Sequence, residues 1–109
     1  MRDPKIDLRG MHVRAEEAAL VVVDWQQRLV PAMEAARQES AARGVRILIE
    51  AAKLTSLPVL VTEQYPRGLG HTVESVAALL PEGTEPVAKT CFACTDSEPF
   101  MERLSGLER

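Results

Sequence analysis

The sequence predicts an α/β protein with a parallel sheet and the element order β-α-β-α-β-α. Three observations predict it. Residues 19–24, A-L-V-V-V-D, are a continuous β-branched run without polar alternation, as in a strand buried on both faces of a parallel sheet. Residues 58–62, P-V-L-V-T, are a second short apolar run, opened by a proline at the one strand position that tolerates it. Between them lies a helical pattern, and a strand, a helix and a strand so close together imply a right-handed parallel crossover.

Residues 1–17 are polar and charged, with Pro4 and Gly10 interrupting any period, and read as an N-terminal arm. After the first strand, W-Q-Q-R-L-V-P-A-M reads as a loop or short helical turn, because Pro31 suits a first helical position better than an interior one. Residues 34–42 are rich in good helix formers, and Gly44 marks a break. Val45, Leu48, Ala52 and Thr55 then recur at three- and four-residue spacing, which predicts a helix over 40–55. The loop E-Q-Y-P-R-G-L-G-H follows the second strand, punctuated by Pro66, Gly68 and Gly70. Thr72 is placed to cap a helix running to Leu80, whose buried face is Val73, Val76, Ala77 and Leu80. Val87 and Ala88 make a brief third strand ending on Lys89, T-C-F-A-C-T-D is loop, and residues 98–107 close the chain as a helix. That last helix has no strand to return to, so the sheet is expected to be unfinished after about three strands.

Composition narrows the function classes. The chain has 109 residues, enough for one domain, and its 46% hydrophobic and 27% charged content is that of a folded globular protein. A net charge of −3 with scattered basic residues argues against a nucleic-acid surface. No apolar stretch reaches the roughly 20 residues of a membrane span, and the charged start has no apolar signal core behind it, so the expected location is cytoplasmic. Two cysteines are too few for a secreted disulfide framework.

Asp24 closes the first strand and Lys89 the third. In an open parallel sheet both would project from the carboxyl edge, where ligands bind. A carboxylate and an ammonium held close keep each other charged, and together they can activate a third group such as a thiol. The alternatives are that Asp24 caps the next turn, or that the two residues form a structural ion pair. Cys91-Phe92-Ala93-Cys94 is formally C-x-x-C. It lacks the further ligands of a zinc site and does not open a helix near the start of a βαβ unit, as a redox motif would. The G-L-G of the loop lacks the third glycine of a phosphate cradle. A receiver-type phosphoacceptor site is disfavoured because Asp24 is followed by Trp25 rather than paired with a second carboxylate.

The runs A-L-V-V-V-D-W-Q and L-V-P-A-M, then P-V-L-V-T-E-Q-Y-P-R-G-L-G and V-A-K-T-C-F-A-C, resemble in order and spacing the isochorismatase-like cysteine hydrolases. The likeness runs from Ala19 to about Leu107, and the T-E-Q-Y-P-x-G-L-G loop looks most like the isochorismatase-domain-containing branch. The resemblance implies a three-layer α/β/α fold with a mostly parallel sheet, commonly assembled into oligomers. It also implies a hydrolase acting on a small molecule through a C–N, ester or ether-type bond, with no cofactor. Of the family's triad, Asp24 matches the aspartate and Lys89 the lysine, the implied catalytic pair. The family nucleophile follows a further strand that this chain does not contain, and Cys91 and Cys94 do not match it. The chain is thus expected to be a partial domain over 18–109, inactive alone, or else a non-catalytic fragment that packs against a partner through its unfinished sheet. Gln64 and Tyr65 fall where family members line the pocket, and Tyr65 could equally be a packing ring. Trp25, beside Asp24, is a third substrate-contact candidate, with packing favoured. The nicotinamidase branch binds zinc after the second strand, but Glu63-Gln64-Tyr65 does not match that pattern, so no metal is expected.

Overall fold

A computed structural model describes Gly10 and residues 12–109. Most of the expected N-terminal arm, residues 1–9 and Met11, therefore lies outside the described residues, and the described part of the arm includes a 3-10 turn at Ala15–Glu17. Three parallel strands, β1 (Leu20–Val23), β2 (Val59–Gln64) and β3 (Val87–Lys89), lie side by side in the order β1-β2-β3. Leu20 pairs with Val59 and Val23 with Thr62, while Thr62 pairs with Val87 and Gln64 with Lys89. This register brings Asp24, Gln64 and Lys89 to one edge.

Alternation along the strands divides the core between two faces. On one face Val22 and Val61 pack with Ile49 of α1 (Ala35–Leu54) and Val76 of a later turn of helix. On the other, Leu60 and Val87 meet Phe100 of the carboxyl-terminal helix, with Val21, Met101 and Leu104 around it. Helices thus cover both faces of a parallel sheet, the layered α/β arrangement. Burying Phe100 contributes roughly 3 kcal/mol, which helps to fasten the final helix to the sheet.

Several elements differ from the sequence reading. β1 is not buried throughout: Val22 is, but Val23 is 52% exposed, because β1 is the edge strand of the described sheet and has β2 as its one neighbour. β2 is the central, buried strand, and it runs on through Glu63 and Gln64, which pair with Ala88 and Lys89. Sheet pairing thus draws in two polar residues that by pattern belonged to the loop. The helix expected over 40–55 begins at Ala35, and Gly44 does not interrupt it. A glycine there costs about 1 kcal/mol relative to alanine, which the surrounding Ala, Arg and Glu residues tolerate.

The loop after β2 contains a single turn of helix, α2 (Pro66–Leu69), and the helix expected from Thr72 to Leu80 is also one turn, α3 (Glu74–Ala77). Thr72 does not cap α3: the N-cap position falls on Val73, and the Thr72 hydroxyl donates to Glu63. Pro31 does open a 3-10 turn, Val30–Ala32, in its first positions. A further 3-10 turn, Cys94–Asp96, lies in the stretch read as loop. The last helix, α4 (Glu98–Gly106), is capped by Ser97, whose hydroxyl oxygen accepts the Phe100 amide. No helix among the described residues is long and apolar enough to cross a membrane.

Candidate active site

β1 ends at Val23, and Asp24 turns the chain away from the sheet with φ +52°, a left-handed conformation that aspartate tolerates better than most residues. Its amide donates to the carbonyl and hydroxyl oxygens of Thr62, both at 3.2 Å, and the Thr62 hydroxyl donates to Asp24 Oδ1 at 2.8 Å. Buried Thr62 therefore aims the carboxylate. The second carboxylate oxygen, Oδ2, accepts from Lys89 Nζ at 3.0 Å.

Lys89 is the innermost charge of the site. Its side chain is fully buried while that of Asp24 is 21% exposed. A buried ammonium must have its protons accepted, and here four oxygens surround it. Besides Asp24 Oδ2, Nζ donates to Gln64 Oε1 at 2.7 Å and to the carbonyls of Cys91 at 3.2 Å and Phe92 at 3.0 Å. Both neighbouring carbonyls come from the turn after β3, so the lysine folds the chain around its own charge. Gln64 completes the frame, its amide group donating to the Thr90 carbonyl at 3.1 Å. Lys89 and Asp24 thus form a buried ion pair, with the carboxylate partly open to solvent.

A cleft of about 910 Å³ adjoins Lys89, lined also by Tyr65, Arg67, Thr90, Cys91 and Ser97 among others, whereas Asp24 and Gln64 do not line it. Tyr65 stands at its mouth, 53% exposed. Its amide donates to the Lys89 carbonyl at 2.8 Å, and its backbone is left-handed at φ +39°. The ring lies over Gly68, where a Cβ would overlap it, so glycine at 68 is what allows the tyrosine to fold back on α2. Of the three substrate-contact candidates, Gln64 touches Lys89 and Tyr65 lines the cleft. Trp25 does neither: it packs against the α1 face with Val22, Ile49 and Val61. Cys91 lines the cleft, yet what meets Lys89 is its carbonyl and not its thiol, and Cys94 packs against the α4 face of the core.

Three positions that frame this pair and its loop were not singled out from sequence: Thr62, Gln26 and Glu63. Gln26 is completely buried. Its Oε1 accepts the Gln64 amide at 2.6 Å, and its Nε2 donates to the carbonyls of Gln64 at 2.9 Å and Gly70 at 2.8 Å. The carboxamide thus stands in for the strand backbone that β1 withdraws when it turns at Asp24, continuing the ladder beside Gln64. On the opposite face of β2, buried Glu63 accepts from the Thr72 amide and hydroxyl, each at 2.7 Å, and pairs with His71 Nδ1 at 3.1 Å. Burial pushes its carboxyl up, but the Thr72 side chain and amide and the His71 hydrogen bond and charge outweigh this and hold it below the usual carboxylate range. The local signal for Thr62 and Glu63 is polar residues at the end of an apolar run, V-T-E-Q, and Gln26 follows the first run in the same way, in V-V-V-D-W-Q. No cluster of three or more metal-ligating side chains is found among the described residues.

Fold and site together define a parallel α/β protein with a buried lysine–aspartate pair at the carboxyl edge of its sheet. Residues 18–109 match the model of the isochorismatase domain, and the chain belongs to that family. It is 51% identical over 70 residues to isochorismatase domain-containing protein 2 of Macaca fascicularis, covering 56% of this chain and 33% of that protein. With the mouse protein 2A it shares 39% identity over 80 residues, covering 72% and 35%. Among solved structures it is similar to the MAR1 ribonuclease of Caenorhabditis elegans, with a TM-score of 0.75, 34% identity and coverage of 85% of this chain and 47% of that one. An octameric hydrolase of unknown specificity from Escherichia coli shares the fold, with a TM-score of 0.76 at 22% identity over 89% of this chain and 48% of its own. The chain therefore spans about a third of the length of the curated relatives it matches and about half that of the solved ones.

Proposed function

We propose that Asp24 and Lys89 are the acid–base part of an isochorismatase-like hydrolase site for a small molecule with a C–N, ester or ether-type bond. The observation that carries this reading is the buried Lys89 ammonium on Asp24 Oδ2 at 3.0 Å, with Oδ1 fixed by Thr62 and the carboxylate facing solvent. In such a site Asp24 is the general base that takes the proton of a thiol nucleophile. Lys89 keeps the carboxylate ionised, and Gln64 and Tyr65 contact the substrate. A small molecule is favoured over a nucleic acid by the net charge of −3 and by Asp96 and Glu98, which share the cleft wall with Arg67. The reading uses no metal or cofactor.

On this reading neither cysteine of this chain is the nucleophile, which is supported by Cys91 meeting Lys89 through its carbonyl and by Cys94 packing against the core. The purified 109-residue chain is therefore expected to show no turnover of activated amides and esters above background. Turnover lost in Asp24→Ala or Lys89→Ala would overturn that expectation, whereas turnover that survives both changes comes from another source.

A second reading, a non-catalytic chain that packs on a partner or on its own copy, is favoured by β1. Its edge carries no charge and no proline, and Val23 and Leu48 are exposed beside it. On this reading, size-exclusion chromatography at micromolar concentration shows a species larger than the 12.0 kDa monomer. A monomer whose β1 amides resist hydrogen exchange as strongly as those of β2 would contradict it.

A further inference from the structure

The Asp24–Lys89 site leaves one buried ionisable group unused. Glu63 lies on the face of β2 opposite Lys89, and residues 63–72 form a ring that starts and ends on it. The ring leaves the strand at Gln64, carries Tyr65 and Arg67 along the wall of the cleft, and returns through His71 and Thr72 to the Glu63 carboxylate. Its first part is tied to the site itself, the Tyr65 amide donating to the Lys89 carbonyl. Its last part is held by Glu63 Oε2, which accepts the Thr72 amide and hydroxyl, and by Gln26, Gln27 and Arg28, which bond Gly70, His71 and Leu69.

We infer that Glu63 is a positioning residue: its ionised carboxylate pins the Thr72 end of the 65–72 loop whose other end carries Tyr65 at the cleft, and protonation of the carboxylate loosens that end. An ionised carboxylate accepts hydrogen bonds only, and one oxygen can take both the amide and the hydroxyl of Thr72. Protonation leaves the carboxyl one carbonyl oxygen and one hydroxyl facing Thr72 and His71, and a neutral oxygen is a weaker acceptor than a carboxylate, so this clasp loosens. The consequence for substrate rests on the reading of the Lys89 cleft as the substrate site, whereas the clasp itself does not.

The groups facing Glu63 are few. His71 touches it from the loop, and Glu74 of α3 and Glu82 of the following turn line the same 740 Å³ cleft. The sign follows from the bonds: the carboxyl is held below its usual range, so the clasp is intact at neutral pH and is lost as pH falls through that lowered value.

The test is amide exchange of the full chain by NMR, comparing Thr72 with Val61 in the central strand from about pH 7 to pH 3. In the wild type, Thr72 protection is expected to fall about tenfold or more on acidification, while Val61 holds and the resonances of Tyr65, the single tyrosine, move with Thr72. Glu63→Gln is the neutral counterpart of the protonated carboxyl at every pH, so its Thr72 protection is expected to be low and independent of pH. Thr72→Val removes one donor that lowers the carboxyl and is expected to move the release to higher pH, into the range where the core is intact. Acid release that persists in Glu63→Gln would overturn the proposal by assigning the step to His71, Glu74, Glu82 or Asp24. Wild-type Thr72 protection independent of pH, or a Tyr65 ring that does not follow Thr72, would overturn it too. None of these readouts requires turnover, so failure of the hydrolase reading leaves them intact.

Discussion

Lys89→Met is expected to lower the unfolding free energy by about 3 kcal/mol, the lower end of what breaking a buried ion pair costs. Methionine fills the same volume, so the loss is electrostatic rather than a cavity. Without the ammonium, Asp24 Oδ2, Gln64 Oε1 and the carbonyls of Cys91 and Phe92 converge on one point with no donor between them. Part of the cost is softened because Asp24 is 21% exposed and can turn towards water. Adding Asp24→Asn to the methionine variant supplies a neutral amide donor and removes the stranded charge. The double variant is therefore expected to lose less than the sum of the two single losses. Urea unfolding of the four proteins measures this, and a single-variant loss below about 1 kcal/mol would show that the lysine contributes no more than a surface pair.

Gln26→Leu is expected to cost about as much, roughly 3 kcal/mol, although the residue is uncharged and outside the cleft. Leucine matches the buried volume but leaves the Gln64 amide and the carbonyls of Gln64 and Gly70 without their partner. The damage reaches the site because Gln64 Oε1 is a ligand of Lys89 Nζ. Gln26→Glu sharpens the test through pH. Its one oxygen still accepts the Gln64 amide, but the other faces two carbonyls and must carry a proton to donate. The carboxyl's folded-state value is therefore raised above its unfolded one, and the variant approaches wild-type stability in acid. It loses stability as pH rises through the carboxylate range towards neutrality. A glutamate variant with the pH dependence of wild type would mean that the carboxamide donates to neither carbonyl in solution.

Much of the architecture is legible in local pattern. The β-branched runs, the proline at residue 58 and the period of residues 45–55 are short-range features, and they locate all three strands and the main helix in their correct order. The parallel arrangement follows too, because strands joined through a helix return in the same direction. Asp24 and Lys89 stand out for the same reason: each is the first charge after an apolar run. The places where the pattern misled are those decided by neighbours. β2 extends to Gln64 because β3 pairs with it there, α1 absorbs Gly44 because its flanks favour helix, and Thr72 does not cap α3 because that helix starts one residue later, with Val73 at its N-cap and Thr72 bonded to Glu63.

By itself the sequence determined the parallel α/β class, the order of the elements and the two charges at the sheet's carboxyl edge, since each is encoded by adjacent residues with a definite period. Only the tertiary structure decided what those charges meet. Thr62 and Asp24 are 38 residues apart, as are Gln26 and Gln64, and Lys89 lies 65 residues from Asp24. No periodicity reports a hydrogen bond across such separations. The carboxamide of Gln26 and the clasp of Glu63 exist because strand register and one left-handed turn at Asp24 bring polar groups together where water is excluded, and there every donor must find an acceptor.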